Sequence, residues 1–330
     1  MNPTDAAANS TIPIDSKKEV RAAIALLIAT AVWGVSFALQ KEAGHEVSRS
    51  IGQENSVAGP MLVVGLRFLL AALLWAALFG RARRGWTTRS FKFGSILGVL
   101  LVVPLVMQTI SLDLTNEATA AVFTSTAVLF TPVILRLFFG VKISPVVWFA
   151  AIVAALGVWV MEGGPNFSLG LGEILGLACA VFFSWHLIVL GNVVPKDDPY
   201  RVTLAQLVVV GVTALVIAMV LLGAAGKTPS MNVMLSWPVA GNIVIMVLFP
   251  TLVSFGLMNV FQPDVSPARA ALIYLLEPIF AASFAWVYRD QGVTQAALIG
   301  AAMMLSANAL VELWPKRPKS GPPGGPLHGR

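Results

Sequence analysis

Ala270-Ala-Leu-Ile-Tyr-Leu-Leu-Glu277-Pro278-Ile-Phe-Ala-Ala-Ser-Phe-Ala-Trp286 is apolar enough to lie in lipid, yet it carries a carboxylate beside a helix-breaking proline. A charged group at bilayer depth costs roughly 2.5–3.5 kcal/mol on insertion scales. Such groups face the protein interior or a wet cavity. The surrounding chain has the composition to supply that interior. Of its 330 residues, 57% are hydrophobic and 12% charged, against about 25% charged in soluble domains. Mean hydropathy is +0.81. These values predict a polytopic, all-α membrane protein with the lipid bilayer as its solvent.

A helix needs about 20 apolar residues to cross a bilayer. Ten such runs are read at 20–43, 58–80, 91–113, 115–137, 143–162, 170–193, 200–224, 236–262, 265–288 and 292–314. Most links are a few residues long. The exception is the polar stretch 44–57, expected to be a long outer loop. Residues 1–19 and 315–330 are read as disordered cytoplasmic ends, with no signal peptide. Between them lie two five-helix units, 20–162 and 163–314. Putting the N-terminus in the cytoplasm leaves 17 of the 22 Lys and Arg residues on that side and 4 on the other. The positive-inside rule then places both termini in the cytoplasm. The same distribution makes the pI near 9.7 a matter of topology, not of nucleic-acid binding. A bacterial plasma membrane is the expected compartment.

The chain reads as a duplication. Pro104 and Pro132 are separated as Pro250 and Pro278 are, at an offset of 146, which sets Thr131 against Glu277. Near offset 152, Trp33-Gly34 aligns with Trp185-His186. Five crossings per half is an odd number, so the halves enter the membrane from opposite sides. Inverted repeats of this kind are common in secondary transporters, with substrate near the midplane.

Ala31-Val-Trp33-Gly34-Val-Ser36-Phe37, Pro60 through Arg67-Phe68, Thr124-Ser-Thr-Ala-Val-Leu-Phe-Thr-Pro132 and Leu276-Glu277-Pro278 together give the chain a resemblance to the drug/metabolite transporter superfamily, EamA-type branch. The resemblance covers roughly residues 20–314. It implies transport, often export, of small metabolites, amino acids among them. Two departures stand out: Thr131 occupies the first-half place of Glu277, and the 44–57 stretch is long for the pattern.

Glu277 reads either as a proton or cation site or as a structural carboxylate bonding groups that Pro278 frees. Arg67, the one basic residue well inside a span, can grip a substrate carboxylate bidentately, hold a structural position, or pair directly with Glu277. Trp33 and Trp185, near mid-span, are expected to wall a central cavity with Phe37 and Tyr274. Trp75, Trp86, Trp148, Trp159, Trp237, Trp286 and Trp314 sit near span ends, as an interfacial belt does. Ser36 and Gln108 are candidate substrate contacts, and His186 a candidate contact or proton relay. Pro104, Pro132, Pro250 and Pro278 are expected to kink their helices and act as hinges. Gly94/Gly98 and Gly172/Gly176 have the spacing of close helix approach.

No H-E-x-x-H, P-loop, G-x-S-x-G or dinucleotide motif is present, so neither an enzyme nor an ATP-driven pump is expected. No cofactor or metal is called for, since the single Cys179 cannot form an intrachain disulfide or a metal cluster. The expectation is a secondary or facilitative carrier, monomeric or homodimeric, moving a small organic substrate such as an amino acid or organic cation, with or without protons. A passive facilitator or a non-transport scaffold is the alternative.

Overall fold

A computed structural model describes residues 16–53, 56–164, 169–289 and 294–314. The ends expected to be disordered lie largely outside these residues. Among the described residues all regular structure is helical. Eight helices are long and apolar enough to cross a membrane: α1 (Lys17–Ser50), α2 (Ala58–Leu78), α3 (Thr88–Leu114), α4 (Glu117–Phe139), then α6 (Leu171–Val193), α7 (Pro199–Ala224), α8 (Trp237–Asp264) and α9 (Pro267–Phe284). Two shorter apolar helices, α5 (Pro145–Met161) and α10 (Gln295–Leu313), follow α4 and α9.

Punctuation residues set the helix ends. Asn116, Ser266 and Thr294 each accept a hydrogen bond from the backbone N–H three residues on, satisfying a donor that the first turn leaves free. Pro145 and Pro199 open α5 and α7, where a missing N–H costs nothing. Gly140, at φ +64°, ends α4, a conformation that penalises a Cβ.

The expected loop at 44–57 is largely helix. α1 continues to Ser50 because Ala43, Val47 and Ile51 repeat every fourth residue and are buried, while Glu46 and Arg49 pair on the wet face at 2.7 Å. The extension docks on the start of α2, where Gly44 meets Pro60 and Gly59 meets Ser48. It also meets the end of α3. Lys41 donates to the carbonyl of Thr115, and His45 Nε2 lies 2.7 Å from Asp113.

Glycines let the helices approach. Gly94 and Gly98 of α3 face Ala205 and Val209 of α7, and Gly172 and Gly176 of α6 face Thr115 and Phe123. α2 and α7 run antiparallel, with Gly65 on Leu215 and Gly211 on Leu69. At the end of this pair, Trp75 stacks on Tyr200 and donates to its carbonyl, and Arg81 pairs with Asp198. Trp75 is therefore buried between the halves, not part of a lipid belt. Trp86, Trp159, Trp237, Trp286 and Trp314 are exposed, as belt residues are. Nearby, Asp197 accepts from Ser90 and Arg201 and from the Asp198 backbone N–H. Burial alone would raise its pKa, but these donors hold the carboxyl below the usual range.

The duplication has a different register from the one the prolines suggest. The N-caps Asn116 and Ser266 are 150 apart, as are Ser144 and Thr294. α4 breaks at Thr126, and α9 breaks at Leu275-Leu276. Pro132 thus sits about one turn further into its helix than Pro278, which opens a helix instead of kinking one.

Candidate functional site

One cavity of about 510 Å³ opens among α1, α2, α3, α4, α6, α8 and α9. It is lined by Trp33, Ser36, Phe37, Arg67, Leu101, Pro104, Leu105, Gln108, Thr124, Cys179, Phe183, Phe255 and Glu277. The break in α9 leaves Glu277 as the first residue of the helix Glu277–Arg289, which puts a carboxyl group where the backbone changes course. α1 passes against this turn at Gly34, whose absent Cβ would lie 2.8 Å from the Ala281 nitrogen.

Arg67 is 3% exposed. Its Nε donates to Thr251 Oγ1 at 2.6 Å and its Nη1 to Gln40 Oε1 at 3.0 Å. The guanidinium carbon lies 5.2 Å from the Phe68 ring centre. Among the described residues neither Arg67 nor Glu277 forms an ion pair, so the direct Arg67–Glu277 pair entertained from sequence is not formed. Neutral acceptors position the arginine while its positive charge stays uncompensated within the site. A buried charge without a countercharge is costly, and an anionic ligand group offsets that cost.

Trp33 forms one wall. Its Nε1 donates to the carbonyl of Pro250 at 2.8 Å, within a widened π-helical turn, Val247–Val253. That bond answers the indole's need for a partner at depth. The ring meets Phe255 and Tyr274 at 5.2 and 5.4 Å between centres, and Phe183 at 6.5 Å.

Three expected site residues are not among those lining the cavity. Trp185 packs against Phe138 and Phe139 on the α4 side. At offset 150 the partner of Trp33 is Phe183, which does line the cavity. Trp185 is two positions further on, about 200° around the helix. His186 is fully buried behind Phe183, 5.9 Å between ring centres. Its Nε2 accepts from Gln206 Nε2, and Gln206 Oε1 in turn accepts from Asn259. That bond places the ring proton on Nδ1, which has no partner among the described residues. Tyr274 backs Trp33, and its hydroxyl is likewise buried without a partner.

Leu101, Leu105, Cys179, Phe183 and Phe255 were not singled out as site residues from sequence. Helical spacing was the available signal. Leu101, Pro104, Leu105 and Gln108 form one face of α3, and Cys179 and Phe183 one face of α6. Replacing Trp33 with Ala is expected to weaken binding of an aromatic or aliphatic ligand by about tenfold or more. Trp185→Ala is expected to leave affinity within about twofold. Ligand titration of the two purified variants checks both.

The family model for EamA-like transporters matches residues 20–162 and matches again over 170–313. The chain belongs to the EamA-like transporter family. The two matches begin 150 residues apart, the offset of the caps, so this EamA-like transporter is built of two repeats and is a multi-pass membrane protein. A protein described as an uncharacterized transporter from Archaeoglobus fulgidus is 24% identical over 296 residues, spanning 90% of this chain and 87% of its own. A solved crystal structure matches 89% of the EamA-like chain and 97% of its own length with a TM-score of 0.66 at 15% identity; at that identity it speaks for the fold alone.

Proposed function

We propose that the protein carries a small zwitterionic organic molecule, an amino acid by chemical class, outward across a bacterial plasma membrane by alternating access. The observation that carries this reading is the presence of Arg67 and Glu277 in one aromatic-walled cavity without an ion pair between them. Arg67 offers a planar fork for a carboxylate. Glu277 offers an acceptor for an ammonium group or for a coupling proton. Trp33, Phe37, Phe183 and Phe255 favour an apolar or aromatic side chain between the two charged ends, and the ring faces suit a cation as well. A single arginine argues against phosphorylated substrates, which favour several cations.

In this reading all ten apolar helices cross the membrane. At a rise of 1.5 Å per residue, the 17 residues of α5 reach roughly 26 Å, close to the hydrocarbon thickness. Five crossings per half insert the repeats oppositely, and the antiparallel contact of α2 with α7 supports that. Both termini lie in the cytoplasm. The halves rock about the cavity, with the breaks at Thr126 and Leu275-Leu276 and the prolines Pro104, Pro132, Pro250 and Pro278 as hinges.

Uptake of radiolabelled L-phenylalanine into proteoliposomes, with and without an imposed pH gradient, tests the driving force. The gradient is expected to accelerate flux severalfold in the parent protein and to have no effect in Glu277→Gln. Equal parent rates in the two conditions would remove proton coupling and leave a facilitator.

A further inference from the structure

A second, smaller pocket lies beside the central cavity, lined by Gln40, Lys41, His45, Pro60, Thr109, Leu112 and Asp113. Gln40 and Thr109 form the wall between the two spaces, one helical turn beyond the cavity-lining Ser36 and Phe37 of α1 and beside Gln108 of α3. Both wall residues are under 5% exposed. The amide of Gln40 is used at both ends: its Oε1 accepts from Arg67 Nη1 at 3.0 Å, and its Nε2 donates to Thr109 Oγ1 at 3.1 Å. Thr109 gives its own proton to the Leu105 carbonyl at 2.7 Å. The hydroxyl is therefore an acceptor toward Gln40, and the chain of bonds has one direction. Further along the same seam, the Lys41–Thr115 carbonyl bond and the His45–Asp113 contact also join α1 to α3.

Resting on the reading that Arg67 receives a substrate carboxylate, we propose that Gln40 is a substrate-sensing latch on the α1–α3 seam. With Nε held by Thr251, a carboxylate takes Arg67 end-on through Nη1 and Nη2, and so meets the nitrogen that now holds Gln40. A carboxylate offers the guanidinium an opposite charge and a second parallel bond, neither of which a neutral amide oxygen can supply. Gln40 then loses its acceptor bond in a buried place, where an unpaired carbonyl is costly. Turning away to find a new partner releases Thr109 and joins the small pocket to the cavity. In the topology proposed above that pocket lies at the outer end of α1 and α3, so binding the cargo would open the exit side. A ligand lacking a carboxylate would leave the latch closed. Gln40 is on this account a positioning residue that sorts cargo by its anionic group.

The test is thiol labelling of Leu112→Cys, which places a reporter in the small pocket, in the full-length protein in detergent. Peptide mass separates this site from Cys179. Labelling at position 112 is expected to rise about tenfold in Gln40→Met without any ligand, the effect of a lost buried hydrogen-bonded latch. It is expected to fall below the parent rate in Gln40→Glu, whose carboxylate stays on Arg67. Loss of fold cannot produce that slowing. L-Phenylalanine is expected to accelerate labelling when residue 40 is Gln and not in Gln40→Met, while L-phenylalaninamide is expected to do nothing. Unchanged labelling in both Gln40 variants would overturn the latch and leave the transport reading intact. Equal acceleration by the amide would overturn the carboxylate trigger. A Gln40→Met effect with no response to L-phenylalanine, and no binding of it by calorimetry, would remove the amino-acid trigger and count against the substrate reading instead.

Discussion

Arg67→Met is expected to reduce transport of L-phenylalanine by about 100-fold or more. A bidentate, charge-assisted pair in a desolvated site contributes on the order of 3 kcal/mol, and about 1.4 kcal/mol is a factor of ten. The substitution also strands Gln40 Oε1 and removes a partner of Thr251, so part of the loss appears as lower stability. Arg67→Lys separates the two effects. It keeps the charge but not the fork. It is expected to fold with a melting temperature near the parent's and still to lose most L-phenylalanine binding. Binding of L-phenylalaninamide should be far less affected by either change. Calorimetry with the two ligands on the two variants is the measurement. Equal losses for acid and amide would assign Arg67 to structure alone.

The second large effect is expected at Gly34. A Cβ there would lie 2.8 Å from both the Ala281 nitrogen and Phe280 Cβ, and 3.0 Å from the Glu277 carbonyl. Backbone atoms cannot step aside as a flexible side chain can, so Gly34→Ala must part α1 from α9. Overpacking of this kind costs about 1–3 kcal/mol, and Gly34→Val more. Trp33 and Glu277 lie on either side of the contact, so the two walls of the cavity shift with it. Thermal denaturation should show the loss of stability, and flux should fall more steeply than stability. Gly223→Ala is the matched control, because nothing lies within 4 Å of its missing Cβ. There a helical Ala is expected to be neutral or to stabilise by up to about 1 kcal/mol.

The broad architecture was legible because bilayer length and apolar runs are coupled by one physical rule, and the long spans were found within a few residues at every end but one. The end of α1 was misread. Its polar residues look like loop, and only the four-residue spacing of Ala43, Val47 and Ile51 signals a helix with one buried face. Arg67, Glu277, Trp33, Ser36, Phe37 and Gln108 were legible as a group because polar and indole side chains at depth need a reason to be there. Trp185 was placed in the cavity by matching Trp33-Gly34 to Trp185-His186 near offset 152, while the prolines gave 146; His186 and Tyr274 were added as a histidine and an aromatic ring at depth. Prolines are tolerated at several levels of a broken helix, whereas N-caps mark a helix start to the residue, and the caps at Asn116 and Ser266 give the offset that points to Phe183. The bonds of Arg67 to Gln40 and Thr251 join helices distant in sequence, and no local pattern announces them.

Counterflow tests the central claim most directly: that the cavity between Arg67 and Glu277 is the passage for a zwitterion. Proteoliposomes loaded with unlabelled L-phenylalanine and placed in a trace of labelled L-phenylalanine need no external gradient. The parent protein is expected to accumulate label transiently above the external concentration, while protein-free and Arg67→Met vesicles are expected not to. Accumulation that persists unchanged in Arg67→Met, or a parent protein that exchanges neither L-phenylalanine nor any other amino acid, would contradict the account.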